Sequence, residues 1–338
     1  LRSSNQYSDS EYTLTPTKSV TFTAGVAVMQ VTMYRAQTSF TGAGVFIETT
    51  FGNKKSQSNN FNLWWGPVTN VLVRTAGMTH KPGLAHVGIP GYKGYEGSPI
   101  TVEAGQQFQV EVLYLDSNYN RVWTLPTTYC KLTSSDPLAS DGAIQLASGN
   151  VHVTITAGIY QTSSFRLRTV GTSGVQYITA EPVPPLLNNT TPPISVRHTT
   201  HDHFGIMVPS TTQVAGVPFN ITILALDAFQ NVCDNRNLGV PFNNSVNLQA
   251  STGTNTMYPY NYTLTNGIGV ASVRLFKAPD LNASIQASYT GITGSSATFG
   301  IISNEYKRLL ILDTYAGMQH INGVFTGTAP TEGSFPMV

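Results

Sequence analysis

The chain has 338 residues, 41% of them hydrophobic and only 10% charged, with a formal net charge of +1. That length suits two or three domains of ~100–150 residues, and the charge balance gives no basis for binding nucleic acid or an anionic membrane surface. No apolar run approaches the ~18 residues of a membrane-spanning helix, so no membrane insertion is expected.

The sequence begins at Leu1 with no initiating Met and no signal-peptide core, which predicts a soluble chain that is processed or excerpted from a longer one. Its first 25 residues, LRSSNQYSDSEYTLTPTKSVTFTAG, match a later stretch, LTSSDPLASDGAIQLASGNVHVTITAG (132–158), at the leading L-x-S-S and the closing T-A-G. The opening therefore reads as the middle of a repeat. VAVMQVTMYRAQ (26–37) lines up with IGVASVRLFKAP (268–279), and GVFIETTFGNKKSQSNNFNL (44–63) with ASIQASYTGITGSSATFGI (283–301). These are expected to be the closing strands of a sandwich, paired through polar turns.

Trp64 and Trp65 follow, as packing at a domain junction or, in the alternative, as a carbohydrate platform. The Gly-rich stretch 75–99 is long for a sandwich loop and is expected to be functional or pressed against a neighbour. In QFQVEVLYLD (107–116), strict alternation puts Phe108, Val110, Val112 and Tyr114 on one face; PFNITILALD (218–227) does the same with Phe219, Ile221, Ile223 and Ala225. Both strands follow Ala-Gly, and both run into a similar loop, LDSNYN (115–120) and LDAFQN (226–231). No segment carries a capped 3.6-residue period, so almost no helix is expected.

HTTHDH (198–203) offers three imidazoles, but it follows the Pro-rich EPVPPLLNNTTPP (181–193) and is read as an exposed linker before a strand FGIMV, not as a metal site. Asp116, Asn118, Asn120, Asp227 and Asn231 could hold calcium, yet each loop has too few carboxylates for a cage, and Asp and Asn commonly fix turns through their own backbone. Cys130 and Cys233 fall in different modules and are read as free thiols. N-x-S/T sequons make Asn188, Asn189, Asn220, Asn243, Asn261 and Asn282 glycosylation candidates, with Asn220 on the outward face of its strand. With no G-x-S-x-G, H-E-x-x-H or C-x-x-C, no catalytic set, cofactor or metal is expected, and the chain is not read as an enzyme.

The residues Ala104-Gly105, Phe108, Asp116, Asn120 and Leu132-Thr133-Ser134-Ser135-Asp136-Pro137 in one module, with Ala215-Gly216, Phe219, Asp227 and Asn231 in the other, carry a resemblance. The chain resembles the tandem immunoglobulin-like (filamin-like) repeats of large bacterial surface and secreted proteins. That resemblance implies an all-β fold and an extracellular or cell-surface location, and it transfers no catalytic residue. The second full module departs from the pattern by lacking S-S-D-P, and the A-G-M-x-H loop is unusually long.

The expected organisation is a partial module of closing strands over 1–70, a full module with the Gly-rich loop over 71–196, a second over 197–303 and an opening strand over 304–338. RLLILDTYAGMQHING (308–323) repeats VLVRTAGMTHKPG (71–83) through A-G-M-x-H-x-x-G, and EGSFPMV (332–338) repeats EGSPITV (96–102). A sandwich lacking its first strand exposes an apolar groove and unpaired backbone groups. The expectation is that Leu309, Leu310, Ile311, Leu312, Phe335 and Val338 of one subunit complete the head of the next, a heterologous contact that grows a filament. Positions equivalent to 103–131 have no counterpart in that junction, so either another strand takes their place or the chain is a window on a longer array. The alternative reading is an adhesin or stalk module that binds glycans or surface proteins through Trp64, Trp65 and the 75–99 loop.

Overall fold

The computed structural model describes residues 2–3, 21–28, 33–36, 45–83, 93–146, 151–183, 186–250, 257–305, 319–321 and 324–326. The fold is all-β, built of tandem immunoglobulin-like sandwiches. A 3-10 turn spans Arg236–Leu238. Two compact units emerge, one of Leu1–Thr199 with Arg236–Leu238 and one of Thr200–Asn235 with Gly239–Val338.

In the first unit, the central strand Gln107–Leu115 is flanked by Ile159–Arg166 and by the edge strand Asn70–Thr75. The facing sheet runs His152–Ile155, Thr128–Ser134, Ile178–Pro182 and Asn189–Thr190. Phe108, Val110 and Val112 of the central strand and Cys130, Leu132, Ile155, Phe165 and Ile178 are all buried, and the Phe108 and Phe165 rings sit edge to face at 5.4 Å. Burial of a side chain of this size contributes about 1.5–3 kcal/mol relative to exposure.

The second unit repeats the plan. Phe219–Asp227 lies between the edge strand His201–Met207 and Ile268–Leu275, and the facing sheet runs Asn261–Thr263, Ser245–Ala250, Ile285–Tyr289 and Ile292–Ser295. Phe219, Ile221, Ile223 and Ala225 are buried together in its core, on the face the alternation predicts.

The two units close alike. Val102–Glu103 pairs in parallel with Ile194–Arg197, and Thr212–Val214 pairs in parallel with Phe299–Ile302. The Ala-Gly that follows each short strand makes the same bonds: Ala104 N to Arg197 O and Ala215 N to Ile302 O at 2.9 Å, Gly105 N to Leu167 O and Gly216 N to Leu275 O at 2.7 Å. Both glycines have φ of +77°, a left-handed conformation that a side chain makes costly.

The hairpin turns repeat a third time near the start of the chain. Thr23-Ala24-Gly25-Val26, Thr156-Ala157-Gly158-Ile159 and Thr265-Asn266-Gly267-Ile268 each place both central residues at positive φ, 52° and 78°, 49° and 74°, 53° and 76°. Reciprocal backbone bonds of 2.9–3.1 Å close all three, the two-residue turn whose twist matches that of the flanking strands. Beyond that turn the expected strand over 26–37 does not form in its described part, since 26–28 and 33–36 are irregular and Val28 is 93% exposed. Over 44–63 the expected pairing holds: Ile47–Phe51 forms a hairpin with Lys54–Gln57, and Val45 bridges Phe61.

Candidate functional site

Alternation places one face of Gln107–Leu115 in the core, but in the structure both faces are covered. Glu111, Leu113 and Leu115 on the outer face are also buried. Leu72, Leu113 and Leu115 form a second small cluster beneath Tyr95, Tyr119 and Ile159. The covering layer comes from the Gly-rich stretch, where Met78–His80 pairs with Tyr95–Gly97. Gly94 lies flat on the Tyr119 ring: a Cβ there would sit 2.4 Å from it. At least this part of the 75–99 loop packs on its own sheet.

Between that layer and the sheet lies a cavity of about 210 Å³, whose lining includes Arg74, His80, Glu111, Asn120, Arg121 and Trp123. Arg74 Nη2 pairs with Glu111 Oε2 at 2.5 Å and its Nη1 donates to Met78 O at 2.7 Å. Its Nε is buried with no hydrogen-bond partner among the described residues, an uncommon condition for a charged donor. Glu111 Oε1 accepts from Gln109 Nε2 at 2.5 Å. Arg121 donates from Nε to Ala157 O at 2.9 Å, and its guanidinium carbon lies 3.6 Å from the centroid of the Trp123 ring. His80 Nε2 is 2.7 Å from Tyr119 O. A carbonyl only accepts, so Nε2 carries the proton and Nδ1 is left as an acceptor. Burial pushes the His80 pKa below its ordinary value, with Arg74, Arg35 and Arg121 adding to the effect against the opposing bond to Tyr119.

The Asp and Asn residues weighed as calcium ligands turn out to fasten loops. Asp116 Oδ1 accepts from the backbone of Asn118 at 2.9 Å and Asn120 at 2.8 Å, and its Oδ2 accepts from Gly66 N at 2.9 Å. Asp227 Oδ1 accepts from Phe229 N at 2.8 Å and Asn231 N at 2.9 Å. Asn120 reaches further, taking Ala36 N on its Oδ1 and giving its amide to Tyr34 O. The S-S-D-P motif does similar work: Asp136, 1% exposed, accepts from Leu138 N, Arg168 N and Thr169 N and from Thr169 Oγ1.

The HTTHDH segment departs from the exposed-linker reading. His198 is 6% exposed, and the next strand begins at His201, three residues before FGIMV. The second half of the segment, 201–203, is therefore part of a strand, and His201 packs 4.4 Å from the Phe204 ring and 4.5 Å from the Phe242 ring. Among the described residues no group of three His, Cys, Asp or Glu side chains could hold a metal.

Trp64 and Trp65 stand edge to face at 5.5 Å, with Trp65 Nε1 donating to Thr124 Oγ1 at 3.1 Å and Trp64 55% exposed. Cys130 lies within the strand Thr128–Ser134 and Cys233 follows the Asp227–Asn231 turn; both are buried and free. Of the sequons, Asn188, Asn220, Asn243, Asn261 and Asn282 are exposed, whereas Asn189 is half-buried and its Oδ1 accepts from Val73 N at 2.8 Å. Leu309, Leu310, Ile311, Leu312, Phe335 and Val338 lie outside the described residues. The sequence signal for the outer-face cavity is Glu111, a carboxylate on a strand face that continues as the apolar Leu113 and Leu115.

No known protein family matches the chain, and no curated protein matches it. Solved structures similar to it include FdeC, an Escherichia coli adhesin, at 15% identity over 71% of this chain and 66% of that one, TM-score 0.30. An Escherichia coli alpha-2-macroglobulin activated by porcine elastase is similar at 11% identity over 77% of this chain and 24% of its own, TM-score 0.32. The surface layer protein SbsC, domains 1–6, is similar at 10% identity over 79% of this chain and 33% of its own, TM-score 0.23. The chain thus spans less than two thirds of each, and similarities this distant carry no argument about what it does.

Proposed function

We propose that the chain is a structural subunit of an extracellular filament or cell-surface fibre, joined head to tail by strand complementation, and that it is not an enzyme. The observation that carries this reading is the repeat of the segment 71–102 at 308–338. In the first unit that segment supplies both the edge strand Asn70–Thr75 of the five-stranded sheet and the strand Val102–Glu103 that pairs in parallel with the unit's last strand. A second copy of such a segment is chemically suited to pair with the edge of another sandwich. Support also comes from a surface with few charges, from buried carboxylates spent on loops, and from exposed sequons suited to a glycoprotein.

The test is the state of assembly of the purified full chain across a concentration series, by light scattering and electron microscopy, beside a variant lacking 308–338. The expected result is filaments that are lost on deletion and partly restored by mixing with the intact chain. A monomer at every concentration, or filaments indifferent to the deletion, overturns it. A second reading, an adhesin or stalk module binding glycans, is favoured by the 55% exposure of Trp64 beside Trp65.

A further inference from the structure

The cavity on the outer face of the five-stranded sheet holds two guanidinium groups and one carboxylate. Arg74 is matched by Glu111 at 2.5 Å. The Arg121 side chain is held by its Nε bond to Ala157 O and its stacking on Trp123, which leaves the donors of its terminal nitrogens available, and Glu111, already paired with Arg74, is the one carboxylate that acts on both guanidinium groups, so the cavity keeps an excess positive charge. Stacking and the Nε bond together hold the guanidinium plane in one orientation. A fork fixed in this way binds a carboxylate with two parallel hydrogen bonds at small entropic cost.

The remaining border suits a sugar ring more than a flat or fully apolar molecule. Leu113 and Ile159 provide an apolar floor, while Glu111 and His80 Nδ1 provide acceptors for hydroxyl groups. The volume, about 210 Å³, is below the ~300–1,000 Å³ typical of pockets for drug-sized ligands, so one ring is the natural occupant. We propose that this cavity binds a single hexuronate unit of an acidic glycan, its carboxylate held by Arg121 and its ring seated on Leu113 and Ile159. The site is separate from Trp64 and Trp65 and does not depend on assembly of the chain into a filament.

The test is a titration of the full chain, isotope-labelled on its indole and guanidinium nitrogens, with D-glucuronate, D-glucose and acetate in turn. The expected result is saturable shifts of the Trp123 Nε1–H and Arg121 Nε–H signals with glucuronate, and binding about tenfold weaker for glucose and for acetate, each of which lacks one half of the ligand. Arg121→Gln should weaken glucuronate binding about tenfold, and Arg121→Lys, which keeps the charge but not the fork, should weaken it by a smaller factor. Should the Gln variant fail to fold, the Lys variant and the wild-type series carry the test. Equal binding of glucose shows that the carboxylate is not read, equal binding of acetate shows that the ring is not, and an unchanged Arg121 variant or silent Trp123 signal places the ligand elsewhere; any of these overturns the proposal. Failure of the strand exchange would appear only in the assembly experiment.

Discussion

Asn120 donates its side-chain amide to both carboxylate oxygens of Asp116, at 3.2 and 3.0 Å, and Asn231 does the same to Asp227 at the same two distances. Each Asp is buried and collects two backbone N–H groups on one oxygen, so its removal strands several donors without acceptors. Asp116→Ala and Asp227→Ala should each destabilise their unit by about 2–4 kcal/mol. Urea unfolding of each variant measures this, and a loss below about 1 kcal/mol would show that the donors find water.

The three Thr-x-Gly turns share a backbone but not an environment. A Cβ on Gly158 would lie 2.4 Å from Val122 O and one on Gly267 would lie 2.6 Å from Cys233 O, whereas Gly25 has nothing within 4 Å. Gly25→Ala should therefore cost only the left-handed strain of ~1 kcal/mol. Gly158→Ala and Gly267→Ala should cost at least about twice that, because a backbone carbonyl has to move. Thermal melting of the three variants side by side decides it.

Burial is the largest cause lowering the pKa of both His80 and His201 below the ordinary 6.5. The unfolded chain then binds protons that the folded chain refuses. The contribution of these two histidines should be fully present above about pH 7.5 and be lost as the pH falls through 6.5 toward the lowered folded-state values. Denaturant midpoints between pH 7.5 and pH 5 test the slope, and His201→Phe should remove part of it while keeping the contact with Phe204 and Phe242.

Burial likewise pushes the Cys130 thiol up to about 11 and the Cys233 thiol up to about 12. Neither thiolate is populated at neutral pH, so neither should react with a disulfide reagent in the native state, and both should react on unfolding. Fast labelling of one thiol in native buffer would show that its strand or loop opens locally.

Asn189 carries a sequon, yet its side-chain oxygen serves Val73 N at 2.8 Å across to the edge strand. Asn189→Ala should destabilise the first unit by about 1–3 kcal/mol. Asn220→Ala, at an exposed strand position, should stay within about 0.5 kcal/mol. Chemical denaturation of the unglycosylated variants separates the two roles.

The fold was largely legible because its cues are local. Alternation at Phe219, Ile221, Ile223 and Ala225 marks the buried face, and the shared Asp and Asn spacing marks a turn that its own side chains tie down. What escaped was set by contacts distant in sequence. Glu111 looks outward by period, but a layer drawn from residues some 15–30 positions earlier covers it. His201 looks like linker by its polar neighbours, but Phe242, some 40 positions later, turns it into an aromatic contact. Strict alternation describes one sheet face meeting water, and it cannot register a loop that folds back over that face.

The parallel closure of each unit has a mechanical consequence. The strand pairs Val102–Glu103 with Ile194–Arg197 and Thr212–Val214 with Phe299–Ile302 run side by side in the same direction. Tension that draws the early strand toward the N-terminus and the late strand toward the C-terminus slides one along the other. The slanted, evenly spaced bonds of a parallel pair then share the load and must yield together, whereas an antiparallel hairpin pulled from its open end yields bond by bond. Each unit is thus built to resist being stretched end to end.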